Sequence, residues 1–420
     1  MYRHPLPGRR ALMAGTAGLA LAAASAGAAR AQQARRVDLW HVFNIDTDMI
    51  HPAIRAFNAA NADLQIEPRV VPLPQIAPEI TRAVATGAVP DLITGSNEQV
   101  VALAAQGVLD DITDHVRASA SIQWDRIYPG PRATGTYRGR IFGVPRAVNT
   151  LALYWNRDAF AEAGLPDRAP TTWAETMQFA ERLTSPQRNR FGFNFSAIQT
   201  EEGTFQFLPW LQMAGASVAT LDSPGAVEAL TYWVTMVNRG FASRDVLTMR
   251  QYEVANTFMS GNAGMIVTGP WDLPRIAQGS RHRWAVALLP VHQDRNIRAS
   301  ALGDFLFCVP KGARNRAGAL RVLDHMLSDA TLANAWAGGR LPPRPGLVRN
   351  AEHPEALAVF EEQMQFARMR GPHTRWPEIS RPIQTAIQEA ITGRATPQQA
   401  LSRAAQAVNA ILAREPLLDS

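Results

Sequence analysis

The sequence predicts an α/β fold, because short apolar segments alternate with amphipathic stretches of helical period. The first such segments lie at 37–41, 64–71 and 91–94, and apolar faces of helical period follow through Ile54, Ile80 and Val100. Strands that alternate with helices in this way indicate βαβ units and a largely parallel sheet. At roughly 100–200 residues per domain, the 389 residues after residue 31 allow two or three domains.

The segment 139–175 carries the strongest local signals. Its residues 150–155 form a continuous apolar run, which is typical of a strand buried on both faces. Asn156 is expected to cap the next helix and Gly164 to end it. Thr172 and Glu175 have the spacing of a capping box that opens a further helix. We interpret this segment as the passage of the chain from one α/β unit into another.

Residues 1–31 are predicted to be a secretory signal peptide. Arg9 and Arg10 precede the uncharged stretch 11–29, and a small-residue site predicts cleavage after Ala31. The paired arginines favour the Tat route, with Sec export as the alternative. The stretch is mostly Ala and Gly, whereas a membrane span needs about 20 strongly apolar residues. We therefore expect a periplasmic protein without stable membrane insertion.

Charge and cysteine content exclude several classes of protein. Residues 1–31 hold four arginines and no acidic residue, so their removal lowers the net charge from +6 to +2. Such a small charge argues against nucleic-acid binding. Cys308 is the only cysteine, so no intramolecular disulfide can form. It lies in an apolar segment that is typical of a core strand, where a buried and unreactive thiol is expected.

No catalytic motif is evident. The sequence lacks Gly-x-Ser-x-Gly, a P-loop and His-Glu-x-x-His, and a single cysteine rules out thiolate zinc sites. The histidines show no metal-ligand spacing. We therefore predict a protein that is not an enzyme and that needs no metal or cofactor. Carboxylates are numerous enough to form a glycosidase pair, so an exported glycoside hydrolase remains an alternative.

Several motifs are distributed along the chain. They are Gly139-x-x-x-Gly143-Val144-Pro145, Leu153-Tyr154-Trp155-Asn156, Pro170-x-Thr172-Trp173-x-Glu175, Phe258-Met259-x-Gly261-x-Ala263-Gly264-Met265, Gly269-Pro270-Trp271, and Thr392-Gly393 with Thr396-Pro397. Together, and in this order, they resemble the extracellular solute-binding proteins, family 1, of ABC import systems.

The resemblance implies a two-lobed periplasmic-binding-protein fold of type II, with discontinuous lobes hinged around a ligand cleft. We expect an N-terminal lobe of residues 37–147 and 290–342, and a C-terminal lobe of residues 148–289 and 343–420. The hinges are placed near 147–149, 289–291 and 341–345. A terminal helix that begins with a capping box of Thr396 and Gln399 should pack on the second lobe.

Some candidate ligand-binding residues follow from the residues themselves. Ligands of open α/β sheets bind outside the carboxyl ends of strands, which nominates His41 and Asp46 after the first strand. Asp46 could instead cap the following helix. Gly303 would let the backbone approach a ligand closely. Trp210 is an aromatic candidate that could equally belong to the core.

Further candidates come from the resemblance. Glu98 matches an acidic ligand contact of the family, although it could merely complement a helix dipole. Asn149 matches a hinge position that often reaches the ligand, and Trp271 matches a tryptophan that stacks on sugars. Arg340 and Arg375 could bind a phosphate or carboxylate, or could be surface arginines.

We therefore predict a monomeric, periplasmic substrate-binding subunit of an ABC transporter. Its ligand would be a carbohydrate-type solute, a mono- or disaccharide or a polyol, delivered to the transmembrane permease subunits. A glycerol phosphodiester or sugar phosphate is the alternative ligand. Presentation of the ligand to a membrane sensor is an alternative role.

Overall fold

The computed structural model describes residues 35–43, 50–303, 305–348 and 351–418. The predicted signal peptide and Asp46 lie outside these residues. The strands are β1 (Arg35–His41), β2 (Leu64–Val70), β3 (Leu92–Ser96), β4 (Thr136–Tyr137), β5 (Arg140–Ile141), β6 (Val144–Pro145), β7 (Ala152–Asn156), β8 (Phe191–Asn194), β9 (Ala263–Thr268), β10 (Trp284–Ala287), β11 (Ser300–Ala301), β12 (Phe305–Cys308) and β13 (Ala367–Arg368).

The helices lie between these strands and after the last of them. They are α1 (Ile50–Ala60), α2 (Ile76–Thr86), α3 (Asn97–Ala105), α4 (Thr113–Ala118), α5 (Pro129–Thr134), α6 (Arg157–Glu162), α7 (Trp173–Leu183), α8 (Glu201–Met213), α9 (Pro224–Asn238), α10 (Gln251–Met259), α11 (Leu273–Gly279), α12 (Arg316–Met326), α13 (Asp329–Leu332), α14 (Pro354–Met364), α15 (Trp376–Ile391) and α16 (Pro397–Leu412). Within the described ranges, no helix combines the length and the apolar character that crossing a membrane requires.

The first sheet has five strands in the order β2-β1-β3-β12-β6. Strand β1 pairs in parallel with β2 and β3, as the alternation of strands and helices predicted. Strand β12 runs antiparallel to both β3 and β6. It comes from a distant part of the chain, so no helical crossover constrains it to run parallel to its neighbours. The sheet is therefore mixed.

The second sheet has four strands in the order β10-β7-β9-β8. Strands β8 and β9 are parallel, whereas β7 is antiparallel to β9 and β10. All five residues of β7 are buried, which confirms the predicted strand covered on both faces. We call the parts of the chain packed around the two sheets the first and second lobes.

The chain passes between the lobes in neighbouring segments that pair with one another. Asn149 and Gly303 exchange backbone hydrogen bonds with N–O distances of 3.1 and 3.0 Å. Val148 and Leu341 do the same at 2.8 and 3.1 Å. Residues from three distant parts of the sequence therefore lie side by side where the two sheets approach each other.

The second passage lies later in the chain than the sequence suggested. Val291, in the expected hinge at 289–291, exchanges backbone hydrogen bonds with Thr171 and Trp173 of the second lobe. Ala301 still packs in the core of that lobe, and the pairing with the first crossing segment occurs at Gly303. The apolar sequence of β10 predicts a strand, but it does not predict how many of the following residues belong to the same lobe.

The third passage touches both lobes. Trp336 and Leu341 pack against residues of the second lobe, and Leu347 then returns to the core of the first lobe. Arg344, in the predicted linker 341–345, is buried in the first lobe with only 1% of its surface exposed. The chain enters the second lobe again at α14.

The predicted helix signals are found with one difference. Oδ1 of Asn156 accepts a hydrogen bond from the backbone N–H of Ala159 at 2.9 Å. Thr396 and Gln399 form the predicted reciprocal capping box. Thr172 caps α7, but the Glu175 carboxylate accepts from the backbone N–H of Thr171 instead of that of Thr172.

Cys308 lies in β12 and is completely buried. Burial raises the pKa of its thiol to about 12, although a backbone hydrogen bond from Gly95 opposes the shift. Because the thiolate is the reactive form, the thiol is expected to be unreactive at neutral pH, in agreement with the expectation from the sequence.

Arg344 fixes the third crossing segment to the first lobe. Its Nη1 donates to the carbonyl oxygens of Ser121 and Ile122 at 2.9 Å, and its Nη2 donates to that of Leu327 at 2.6 Å. The same Nη2 lies 2.9 Å from a carboxylate oxygen of Asp329. One buried side chain thus satisfies several backbone carbonyls.

Replacement of Arg344 by Met should lower the free energy of unfolding by about 3 kcal/mol, because the carbonyl oxygens lose their donor and Asp329 loses an ion-pair partner. Urea denaturation of the two proteins measures this loss. Arg321→Met is the control, since Arg321 forms an exposed ion pair with Asp63, and its loss should be much smaller. Equal losses in the two variants would contradict the assignment.

Candidate functional site

A cluster of polar and aromatic residues surrounds the paired crossing segments. Gly303 lies at its centre, where a Cβ atom would stand 2.3 Å from Oδ1 of Asn149 and 2.9 Å from the ring of Phe205. Both distances are shorter than side-chain contacts allow, so the position needs glycine. The predicted residues Asn149 and Gly303 therefore lie together, with Phe205 of α8 against them.

Trp271 lies beside this group, in the turn that follows β9. It is partly buried, and its ring centre lies 6.2 Å from that of Phe205. The hydroxyl of Tyr154 donates to the carbonyl oxygen of Gly269 at 3.1 Å and holds the turn. Arg340 places its guanidinium carbon 5.8 Å from the centre of the Trp271 ring. Trp271 and Arg340, which were nominated separately from the sequence, are thus neighbours.

Asp272 completes this turn from within the protein. It is 1% exposed and accepts hydrogen bonds from the Thr268 hydroxyl at 2.6 Å and from Nη1 of Arg275 at 3.0 Å. Burial raises the pKa of the Asp272 carboxyl to about 6, while the Thr268 hydrogen bond and the charges of Arg275 and Arg340 act in the opposite direction. Arg275 and Arg340 thus both favour the ionised form of the Asp272 carboxyl, against the effect of burial.

Glu98 lies in the first turn of α3, directly after β3, and is buried. Its Oε2 accepts hydrogen bonds from the Ser96 hydroxyl and from Nη2 of Arg370, the latter at 2.7 Å. The Arg370 guanidinium carbon lies 4.7 Å from the centre of the Phe205 ring. Glu98 of the first lobe is thus joined to the cluster of the second lobe through Arg370.

Arg370 also binds Glu201, the first residue of α8. Its Nη1 donates to Oε1 of Glu201 at 2.8 Å, and the same oxygen accepts from Nε1 of Trp376 at 2.9 Å. Burial raises the pKa of Glu201, the charge of Arg370 lowers it, and the charge of Glu98 raises it further. Arg370 and Glu201 were not predicted from the sequence, because the Arg370–Glu98 contact joins residues 272 positions apart.

Two of the remaining candidates contact other groups. His41 is buried at the end of β1, where its Nδ1 accepts from the backbone N–H of Phe43 at 3.2 Å and its ring meets that of His51. Trp210 belongs to the core of the second lobe, with its ring centre 6.0 Å from that of Trp233. Trp210 and Phe205 lie on different faces of helix α8. Trp210 is therefore a core residue, and its prediction as a ligand contact is corrected.

Arg375 is also separate from the cluster. It is partly exposed, and its Nε donates to Oε1 of Glu378 at 2.8 Å within the first turn of α15. Only Arg375 was nominated from the sequence, whereas the structure brings Arg370, five positions earlier, to the cluster. Among the described residues, no group of three or more His, Cys, Asp or Glu side chains could hold a metal ion.

The chain resembles known proteins in both sequence and structure. The profile of the family described as bacterial extracellular solute-binding protein matches residues 52–361. A binding protein of Brucella abortus is 24% identical over 373 residues, which cover 85% of this chain and 88% of that protein. The galactooligosaccharide-binding protein of Bacillus subtilis is 21% identical over 342 residues, 76% of each chain. The sn-glycerol-3-phosphate-binding periplasmic protein of Escherichia coli is 24% identical over 434 residues, 94% of this chain and 96% of that one.

Solved structures show the same fold. An ABC transporter solute-binding protein from Thermotoga lettingae, bound with α-D-tagatose, has a TM-score of 0.83 at 24% identity and covers 90% of this chain and 100% of its own. Maltose-bound MalE3 of T. maritima has a TM-score of 0.81 at 21% identity, with coverages of 90% and 100%. The chain therefore has the two-lobed fold of type II periplasmic binding proteins, as predicted.

Replacement of Gly303 by Ala should lower the free energy of unfolding by roughly 1–3 kcal/mol, because the added methyl group overlaps Asn149 and Phe205. Thermal or urea denaturation measures the effect. Gly130→Ala is the matched control, since a Cβ there would meet only Leu302, at 3.5 Å. If Gly303→Ala were as stable as the control, the close packing at the crossing would be refuted.

Proposed function

Because the chain belongs to the bacterial extracellular solute-binding protein family, we propose that it is the periplasmic substrate-binding subunit of an ABC importer. The ligand is a carbohydrate-type solute, a mono- or disaccharide or a polyol, captured between the lobes and delivered to the permease. Relatives named for galactooligosaccharide binding and structures bound with tagatose and maltose support this class of ligand. The protein acts as a monomer and needs no cofactor.

The observation that carries the proposal is the cluster at the crossing segments, which combines groups from both lobes. Trp271 and Phe205 of the second lobe offer aromatic rings, and Glu98 of the first lobe offers a carboxylate. Sugars present C–H faces that stack on aromatic rings and hydroxyl groups that pair with carboxylates and guanidinium groups. Asn149, Gly303, Arg340 and Arg370 complete the proposed site.

A ligand in this position contacts both lobes. Only a ligand that interacts differently with the open and closed arrangements can shift the equilibrium between them. A solute held between Glu98 on one side and Trp271 on the other meets this requirement, since both contacts form together only when the lobes approach. The closed form would then be the one that the permease recognises.

A phosphorylated ligand is the second candidate. The Escherichia coli relative named for sn-glycerol 3-phosphate aligns over 94% of this chain, and Arg340 and Arg370 carry positive charge at the cluster. Arg375 no longer supports this alternative, because it pairs with Glu378. Export through the signal peptide of residues 1–31, by the Tat route, is part of the proposal.

Hydrolysis is not part of the proposal. Two carboxylates, Glu98 and Glu201, do approach each other, but both bind the same guanidinium group of Arg370. That arrangement holds both carboxylates in ion pairs with one cation instead of presenting one as a proton donor and the other as a nucleophile. Turnover of a chromogenic glycoside that is abolished by Glu98→Gln would overturn this view.

A thermal-shift screen of residues 32–420 against sugars, polyols and their phosphate esters tests the function. A ligand at 100 times its dissociation constant stabilises the native state by about 2.7 kcal/mol, so the melting temperature should rise clearly. We expect a rise with at least one neutral carbohydrate. No rise with any member of the panel would count against a carbohydrate-type ligand, while the fold would be unaffected.

Trp271→Ala should weaken binding of the solute found in that screen by about 1–3 kcal/mol, as loss of a stacking surface does for nucleic-acid bases. Isothermal titration calorimetry measures the loss. Trp124→Ala is the control, because Trp124 is likewise partly buried but packs against the core of the first lobe. Unchanged affinity in a folded Trp271→Ala protein would remove Trp271 from the site.

A further inference from the structure

Arg370 holds two carboxylates that come from different lobes. Its Nη2 donates to Oε2 of Glu98 at 2.7 Å and to Oδ1 of Asn97 at 2.8 Å, while its Nη1 donates to Oε1 of Glu201 at 2.8 Å. The side chains of Arg370 and Glu98 are only 6% and 1% exposed. Both terminal nitrogens of the guanidinium group are thus occupied by protein acceptors, in a region largely closed to water.

Glu201 is held in place by residues of its own lobe. Oε1 accepts from Nε1 of Trp376 at 2.9 Å, and Oε2 accepts from the hydroxyl of Ser380 at 2.6 Å. These donors fix the carboxylate toward Arg370 whether or not a solute is bound. A guanidinium group binds phosphate best through two parallel N–H donors, and Glu201 occupies one of the pair that Arg370 would need.

The polar groups left over suit a hydroxyl group. Nε of Arg370 is buried and has no acceptor within the described ranges, so one donor remains. Oε1 of Glu98 accepts no hydrogen bond from the described part of the chain, so one acceptor remains on that carboxylate. A hydroxyl group both donates and accepts, whereas an ionised phosphate oxygen only accepts and would be repelled by Glu98.

Arg340, the other arginine at the cluster, is also close to an acidic side chain. It lies beside Trp271 and close enough to Asp272 to lower the pKa of that carboxyl. Asp272 is itself paired with Arg275, and its carboxylate also attracts Arg340. Of the two arginines at the cluster, only Arg340 was nominated from the sequence, and acidic side chains of the protein lie near both.

We infer that Glu201 sets the charge specificity of the site: by holding Arg370 beside Glu98, it makes the site select neutral polyhydroxylated solutes and reject their phosphate esters. This role rests on the proposed function, since it assumes that the solute binds at the cluster of Glu98, Arg370 and Trp271. Glu201 itself acts through Arg370 and need not touch the solute.

The experiment compares Glu201→Gln with the wild-type protein by isothermal titration calorimetry at pH 8. The probes are matched pairs, D-tagatose with D-tagatose 6-phosphate and glycerol with sn-glycerol 3-phosphate. Removal of one carboxylate charge from a site of low dielectric constant should tighten binding of the phosphate esters at least about tenfold. The gain should shrink as the salt concentration rises.

Glu202→Gln is the matched control, because Glu202 follows Glu201 on the same helix but binds Arg250 instead of Arg370. Its affinity for the esters should equal that of the wild-type protein. If Glu201→Gln does not fold, Glu98→Gln removes the other charge on Arg370 and should also tighten binding of the esters. A merely structural role of Glu201 predicts no gain of affinity in either variant.

Two results would overturn the inference and leave the proposed function intact. One is a wild-type protein that binds a phosphate ester more tightly than its neutral counterpart, and the other is unchanged ester affinity in Glu201→Gln. Failure of the wild-type protein to bind any neutral solute would instead count against the proposed function. The proposed role of the Glu201 charge would still be tested in that case, because it requires Glu201→Gln to bind the esters more tightly than the wild type.

Discussion

The backbone pairing of the crossing segments is the constraint on which the rest of the structure depends. Asn149 pairs with Gly303, and Val148 pairs with Leu341, so segments from distant parts of the sequence run side by side. Each hydrogen bond contributes only about 1 kcal/mol net. Their importance is geometric, because they fix where the two lobes face each other and so bring Glu98 of one lobe toward Phe205 of the other.

The electrostatics of this junction follow from that geometry. Arg370 joins Glu98 of the first lobe to Glu201 of the second, so the protein itself contributes an ionic link between its lobes. The desolvation cost of buried charges offsets much of their mutual attraction. Such a link specifies one arrangement of the lobes more than it stabilises that arrangement. A solute that adds contacts to both lobes can then change the equilibrium between open and closed forms.

Local motifs in the sequence nominated part of the proposed site. Trp271 and Glu98 stand in short patterns with a recognisable context, a Gly-Pro-Trp turn and the first turn of a helix, and both lie at the cluster. Trp210 shows the limit of such reasoning, because an aromatic residue on a helix has the same pattern whether it faces a core or a ligand. Arg375 illustrates the same limit. It pairs with Glu378, whereas Arg370, five positions earlier, binds Glu98.

The sequence by itself determined the alternation of strands and helices, the caps at Asn156 and Thr396, and the family, because these depend on residues close together in the chain. Only the tertiary structure decided that β12 enters the first sheet antiparallel, that Gly303 packs against Asn149, and that Arg370 binds two carboxylates. Each of these contacts joins residues more than a hundred positions apart. Such pairs leave no periodic or spaced pattern, so they become visible only when the chain has folded.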